Sequence, residues 1–326
     1  MEPLAWRLLN DFQRDFPLEA EPYARIAASL GITEERLLRL LAQLQSEGRV
    51  SRVGVVFRPN SVGASTLAAM AVPEPDLERV AQIVSAFSEV NHNYEREHRY
   101  NLWFVATAPD AAGLEQTLAR IAGRSGYNPV ALPLLAEYHI DLGFDMSGEC
   151  ATRELDEENE TPESPAYLRH PADTALIAAI QGGFPLARRP FAHIAARAGL
   201  SEHEVLARLC QWLAEGVVKR IGVIVRHHEL GFRANAMVVW DVADAEVDRV
   251  GRAFARREFV TLCYRRPRRP PEWPYNLFCM IHGRDRATVL RHVETLGRDA
   301  ELPGLRPEVL FSRRRFKQRG ALYAHG

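Results

Sequence analysis

The chain has 326 residues, 47% of them hydrophobic, and a formal net charge of −1, which suits about two domains that each bury a core. No apolar run approaches the roughly 20 residues that a bilayer span requires, and the first residues lack the basic-then-apolar order of a secretory leader, so a cytoplasmic protein without a membrane partner is expected. Cys150, Cys210, Cys263 and Cys279 form no CxxC pair, which argues against a zinc or iron–sulfur site and, in that compartment, against a disulfide framework.

In chain order, Leu4–Asp15 first carries apolar residues at helical spacing. Pro22 suits the first turn of a short helix, where its missing N–H is harmless. Tyr23, Ile26, Ala27 and Leu30 share a face of that helix, and Gly31 ends it. Thr33 is placed to cap a third helix, Glu34–Glu47, with Leu37, Leu38, Leu41 and Leu44 on one face and Gly48 as its stop. Short strands over Val50–Phe57 complete a winged helix-turn-helix pattern. The order then becomes strand (Ala64–Val72), helix (Pro75–Phe87), strands (Glu89–Tyr94 and Tyr100–Ala108), helix (Asp110–Ala122) and strand (Val130–Ile140). That is the split β-α-β-β-α-β arrangement of ferredoxin-like domains.

The pattern then starts again. Residues 8–63 match residues 176–231 at a constant offset of 168 without a gap, and 23 of the 56 pairs are identical. Gly31 recurs as Gly199, Arg52 as Arg220, Gly54 as Gly222 and Arg58 as Arg226, and Tyr100-Asn101-Leu102 recurs as Tyr275-Asn276-Leu277. A repeat of this length is an architectural unit. The fold class is therefore α+β, a tandem repeat of winged helix-turn-helix plus ferredoxin-like domain. Residues 1–63 and 168–231 form the helical units, and 64–147 and 232–326 the sheet units. The acidic, Pro- and Ser-bearing stretch 148–167 reads as a linker. Residues 1–167 carry 14 basic and 26 acidic side chains, and residues 168–326 carry 27 and 16. Such opposite balances favour docking of the halves, or a cationic pocket on the second.

This order of elements resembles the Lrp/AsnC family of regulators. There the sheets of two protomers pack face to face and a small ligand binds at the sheet region; the two copies here could form such a pair within one chain. A regulator would read DNA with the helices that start Thr33-Glu34-Glu35 and Ser201-Glu202-His203-Glu204. DNA affinity rests on cations at phosphates and on Arg, Asn or Gln at base edges. Helices that open on carboxylates argue against a DNA partner, and the leucine-rich surface of the first suits packing on protein.

The central hairpins carry a more specific resemblance. The first runs Asn91-His92-Asn93-Tyr94-Glu95-Arg96-Glu97-His98-Arg99-Tyr100-Asn101-Leu102-Trp103-Phe104. The second runs Cys263-Tyr264-Arg265-Arg266-Pro267-Arg268-Arg269-Pro270-Pro271-Glu272-Trp273-Pro274-Tyr275-Asn276-Leu277-Phe278, then Met280-Ile281-His282-Gly283. Together they are similar to sirohaem decarboxylases, two-subunit enzymes with the Lrp/AsnC-like fold, here fused end to end as in the NirD–NirL type of haem d1 biosynthesis. The resemblance covers the chain except the linker. It implies loss of CO2 from the C12 and C18 acetates of the tetrapyrrole sirohaem, with no separate cofactor because iron arrives with the substrate. The residues it marks as catalytic are His92, Tyr94, His98 and Tyr264, with His92 also the axial ligand of the substrate iron. Those it marks for substrate binding are Arg96, Arg99, Tyr100, Asn101, Trp103, Arg265, Arg266, Arg268, Arg269, Trp273, Tyr275, Asn276 and His282. Arg suits carboxylates because it stays charged and binds them bidentately, and imidazole suits iron ligation or proton transfer near neutral pH. In one departure, aligning Tyr94 with Tyr264 sets Leu262 opposite His92, so the two equivalent sites are not expected both to be active. A ligand-responsive regulator and a non-catalytic haem sensor are the rival readings, and a further homodimer is left open.

Overall fold

The computed structural model describes residues 3–140, 170–225, 234–302 and 304–323. The expected linker at 148–167 and the pair His227-His228 lie outside the described residues. The first copy runs α1 (Pro3–Asp11), α2 (Pro22–Leu30), α3 (Glu34–Ser46), β1 (Val50–Phe57), β2 (Ala64–Met70), α4 (Glu74–Ala86), β3 (Val90–Arg96), β4 (Leu102–Ala108), α5 (Ala111–Ser125), β5 (Val130–Pro133) and β6 (Ala136–Ile140). The second runs α6 (Pro171–Ile180), α7 (Pro190–Ala198), α8 (Glu202–Ala214), β7 (Val218–Val225), β8 (Ala234–Trp240), α9 (Val247–Ala255), β9 (Val260–Arg265), β10 (Leu277–Gly283), α10 (Arg286–Asp299) and β11 (Pro307–Gln318).

The helix boundaries follow the expected local chemistry. The Thr33 hydroxyl accepts the Arg36 N–H at the start of α3, and Ser201 and Glu204 form a reciprocal capping box at the start of α8, closing orphan donors that would otherwise be lost to the fold. Gly31 and Gly199 end α2 and α7 at φ of 69° and 67°, a left-handed conformation that glycine adopts without penalty. The two helical units then share one core. Leu8, Tyr23, Leu37 and Leu41 from the first pack with Leu176, Phe191, Leu209 and Trp212 from the second, and Leu38 and Leu40 lie half-buried against it. The leucine surface of α3 therefore does pack on protein. The wing expected over Val50–Phe57 is a single strand, β1, which crosses to pair antiparallel with β7, its counterpart in the other copy, with Gly54 opposite Gly222.

Nine strands form the other sheet, in the order β5-β2-β4-β3-β11-β8-β10-β9-β6. Each half supplies the ferredoxin-like order, and the last strand of each half is shared. β11 pairs with β8 of its own half through Pro307–Phe311, then with β3 of the other through Ser312–Gln318. The strand expected over Val130–Ile140 divides in the same way: β5 pairs with β2, and β6, two residues further on, pairs with β9 of the second half. β5 and β6, successive pieces of one segment, thus stand at the two ends of the strand order, one laid on each half. One sheet face is covered by helices, through Leu77, Val80 and Val84 in one half and Val250, Phe254 and Val293 in the other. On the other face Leu67, Ala69 and Trp103 meet Met237, Val239, Phe278 and Leu310 across the halves. Alternation along each strand decides which hairpin residues reach this inner face.

Candidate active site

On β3, His92, Tyr94 and Arg96 point inward. Asn93 and Glu95 point to the helical side, where Asn93 Nδ2 donates to the Ala81 carbonyl at 3.1 Å and Glu95 accepts from Arg314 at 2.5 Å. On β9 the inward residues are Leu262 and Tyr264, followed by Arg266, while buried Cys263 belongs to the helix-side core. The arginines mirror one another. Arg96 Nη1 donates to the Leu310 carbonyl at 3.1 Å, and Arg266 Nη1 donates to that of Leu132. Each guanidinium carbon lies over the tyrosine two places earlier, 5.8 Å from the Tyr94 ring centroid and 4.5 Å from that of Tyr264. Burial pushes Arg96 down to about 10 and lowers Arg266 as well. Their Nε atoms have no hydrogen-bond partner, and among the described residues neither pairs with a carboxylate.

Around His92 the site is cationic. The ring stacks on Tyr94 at 6.2 Å, and its Nδ1 lies 3.0 Å from Asn91 Oδ1. An amide oxygen only accepts, so Nδ1 carries the proton and the Nε2 lone pair is left for a ligand. Burial, then the charge of Arg52, hold the imidazole down to about 4. Arg52 reaches the sheet from β1 of the helical unit. Its Nη2 donates to the Val55 carbonyl at 3.2 Å, its Nε has no partner, and its guanidinium lies against Gly320, two residues beyond Gln318. Gln318 opposes His92 and Arg315 opposes Tyr94 across the β11–β3 pair. Arg52 and Arg315 were not singled out from sequence for this site. Arg52 recurs as Arg220, a sign that the position matters in both copies, whereas nothing in the sequence tells which strand Arg315 pairs with. The cationic ground comes from both halves rather than from the basic second half alone.

His98 follows in the turn after β3. Its Nδ1 accepts the Tyr100 N–H at 3.0 Å, so the neutral ring carries its proton on Nε2. Burial lowers its pKa, partly offset by Glu308. The ring stacks on Tyr100 and meets the edge of Trp273 at 5.5 Å.

Other expected site residues stand elsewhere. Arg265 and Arg268 leave the inner face and ion-pair on the helical side, Arg265 with Asp244 at 3.1 Å, Arg268 with Asp241 at 2.6 Å and Asp244 at 2.9 Å. The expectation that all four arginines of the Arg/Pro loop bind substrate overlooks strand parity and these three ion pairs. Asn101 and Asn276 use both ends of their amides on the chain after β2 and β8: Asn101 bonds the N–H and carbonyl of Val72, and Asn276 those of Val242. Trp103 and Trp273 fill the seam rather than line an open slot. Trp273 is 1% exposed and packs on Trp103 at 5.0 Å and Tyr275 at 5.0 Å. The Tyr275 phenol meets Glu308. Arg99 and Arg269 are exposed and bond the carbonyls of Glu272 and Ala131, each crossing between halves. Arg269, Glu272 and Tyr100 also border a cleft of about 430 Å³ with Tyr127 and Asn128. His282 shares the inward alternation of Phe278 and Met280 and opposes Asn235.

The helical units are arranged for each other rather than for a duplex. β1 and β7 pair together, and the first turns of α3 and α8 carry Glu34 and Glu202, which meet Arg188 and Arg189. This is a duplicated helix-turn-helix and AsnC-like protein whose two copies pair strand to strand. The AsnC-like ligand binding domain matches residues 61–139 and 229–317, and the Siroheme decarboxylase NirDL-like HTH domain matches residues 6–50 and 173–218. The Siroheme decarboxylase NirDL subunit of Paracoccus pantotrophus is 45% identical over 325 residues, covering 99% of this chain and 98% of the relative. A crystal structure of the siroheme decarboxylase NirDL superposes with a TM-score of 0.69 at 30% identity, covering 98% of this chain and 94% of that one. A second, in co-complex with an iron-uroporphyrin III analogue, gives 0.67 at 29%, with 98% and 93% covered. The chain belongs to the sirohaem decarboxylase NirDL family.

Proposed function

We propose that this chain removes CO2 from the C12 and C18 acetate side chains of sirohaem, a carboxy-lyase reaction in which the iron belongs to the substrate. The observation that carries this reading is the pair of guanidiniums beside His92 and Tyr94, the buried Arg96 and the half-buried Arg52, that pair with no carboxylate among the described residues. A buried unpaired cation costs several kcal/mol, and a polycarboxylate substrate supplies the missing partners with charge-assisted bonds. The named relatives act on sirohaem, whose eight carboxylates suit such ground.

The tautomers divide the work between the two histidines. His92 presents an Nε2 lone pair and is held neutral, which suits it to ligate the substrate iron. His98 presents Nε2–H, which suits it to hydrogen-bond a carboxylate of the macrocycle. Six residues at about 3.3 Å each separate them by up to about 20 Å, so one can serve the metal and the other the macrocycle edge. When the bond to the carboxyl carbon breaks, its electron pair stays on the methylene carbon beside the pyrrole, which spreads the charge. A proton on that carbon completes the methyl group. Tyr94, stacked on His92, would hydrogen-bond a carboxylate there.

Anaerobic incubation with sirohaem, followed by mass spectrometry, tests the proposal. Loss of one and then two CO2 units supports it. Tight binding at unchanged mass would favour a haem sensor and overturn it. The regulator reading is set aside by the family match and by the acidic, paired helix starts.

A further inference from the structure

The mirrored halves make one difference legible. Tyr94 and Arg96 have their counterparts in Tyr264 and Arg266, down to the carbonyl each arginine bonds and the ring each one covers. The groups facing those tyrosines are not alike. Across the β11–β3 pair, Tyr94 is opposed by Arg315; across the β6–β9 pair, Tyr264 is opposed by Glu137. Glu137 is 4% exposed and ion-pairs with Lys219, which reaches it from β7 of the helical unit. The helical strands thus send one cation toward each side, Arg52 toward His92 and Lys219 toward Tyr264. On the first side Arg52 meets no carboxylate of the protein among the described residues. On the second side the carboxylate is already present.

We infer that the chain takes one tetrapyrrole, on the His92 side, and that the counterpart site is closed by a carboxylate of the protein's own, Glu137, seated where a substrate carboxylate would otherwise meet Lys219. This rests on the tetrapyrrole reading of the site. Leu262 in place of His92 removes the metal ligand there, and Glu137 cancels the charge of Lys219. Arg220, the repeat counterpart of Arg52, is turned away to the Gln13 carbonyl. The first side therefore keeps a ligand and an Arg52 that meets no carboxylate, while the second keeps the tyrosine–arginine frame with its extra cation already paired.

Titration of the full chain with iron-uroporphyrin III, read by Soret absorbance and native mass spectrometry, tests this without relying on turnover. One equivalent per chain is expected, weakened about 10- to 100-fold by Arg52→Met, as for loss of a charge-assisted bond. Glu137→Ala, which empties the seat and keeps Lys219, should admit a second, weaker equivalent, whereas Glu137→Gln, which keeps the volume, should not. Where Glu137→Ala does not fold, Glu137→Ala with Lys219→Ala leaves no orphaned charge and should admit the second equivalent too. Two equivalents in the unmodified chain, full affinity kept in Arg52→Met, or a single equivalent in the emptied variants would each overturn the inference. Binding of one equivalent without CO2 release sinks the decarboxylase reading and leaves this one standing; absence of binding sinks both.

Discussion

Arg96 in the first half donates to the backbone carbonyl of Leu310 in the second at 3.1 Å. The same guanidinium touches Met280 Sδ at 3.7 Å and lies over Tyr94. One buried cation thus ties a hairpin to the shared strand of the other half and stands in the proposed site. Replacing it with Met keeps the bulk and removes the bond. Arg96→Met should lower stability by about 1.5–3 kcal/mol in urea unfolding and weaken tetrapyrrole binding in the same protein. Loss of one without the other would separate the two duties.

His92 should make stability depend on acid. Its folded pKa, about 4, lies below the 6.5 of the free side chain. Between those values the unfolded chain takes up a proton that the folded chain refuses, so stability is full above pH 6.5 and falls as the pH drops toward 4. The span is about 1–3 kcal/mol. Urea midpoints measured from pH 7 to 4 should show this slope, and His92→Gln should flatten it.

Asn101 and Asn276 each make two bonds to a single backbone residue. Alanine at either position orphans a buried N–H and a buried carbonyl. Each change should cost about 1–3 kcal/mol, and the pair should add, since the sites share no partner. Thermal melts of the two single variants and the double variant check this, and iron-uroporphyrin III affinity should be unchanged in all three.

Trp273 is the keystone of the seam, in contact with His98, Tyr100, Trp103 and Phe278. Truncating a fully buried tryptophan removes packing on every side. Trp273→Ala should cost about 3–5 kcal/mol and should raise the susceptibility of the 266–276 loop to limited proteolysis. A variant as stable as the parent would contradict this placement.

The element order could be read from sequence because it is local. Helical spacing, caps at Thr33 and Ser201 and glycine stops set the helices, and alternation set the strands. Partner choice was not local. Nothing in Val50–Phe57 distinguishes a wing from a strand that pairs with its own copy, and nothing in Val130–Ile140 tells that Leu134 and Leu135 divide it between two halves. The same limit applied to the site. His92, Tyr94, Arg96, Tyr264 and Arg266 were legible because a hairpin fixes its own alternation. Arg52, Arg315, Glu137 and Lys219 were not, because each is brought there by a long-range pairing. Arg265 and Arg268 looked like neighbours of Arg266, yet their acidic partners draw them to the opposite side of the sheet.

The strand exchange has a consequence for how the two halves need one another. Neither half can complete its sheet alone, since β6 and the end of β11 are laid down on the other's hairpin. What the covalent connection supplies is therefore proximity, a high effective concentration, and not architecture. A protease site engineered within 148–167 should yield two fragments that stay together through gel filtration and keep their ligand. Two separate chains, one for each half, should in this light build the same shared sheet.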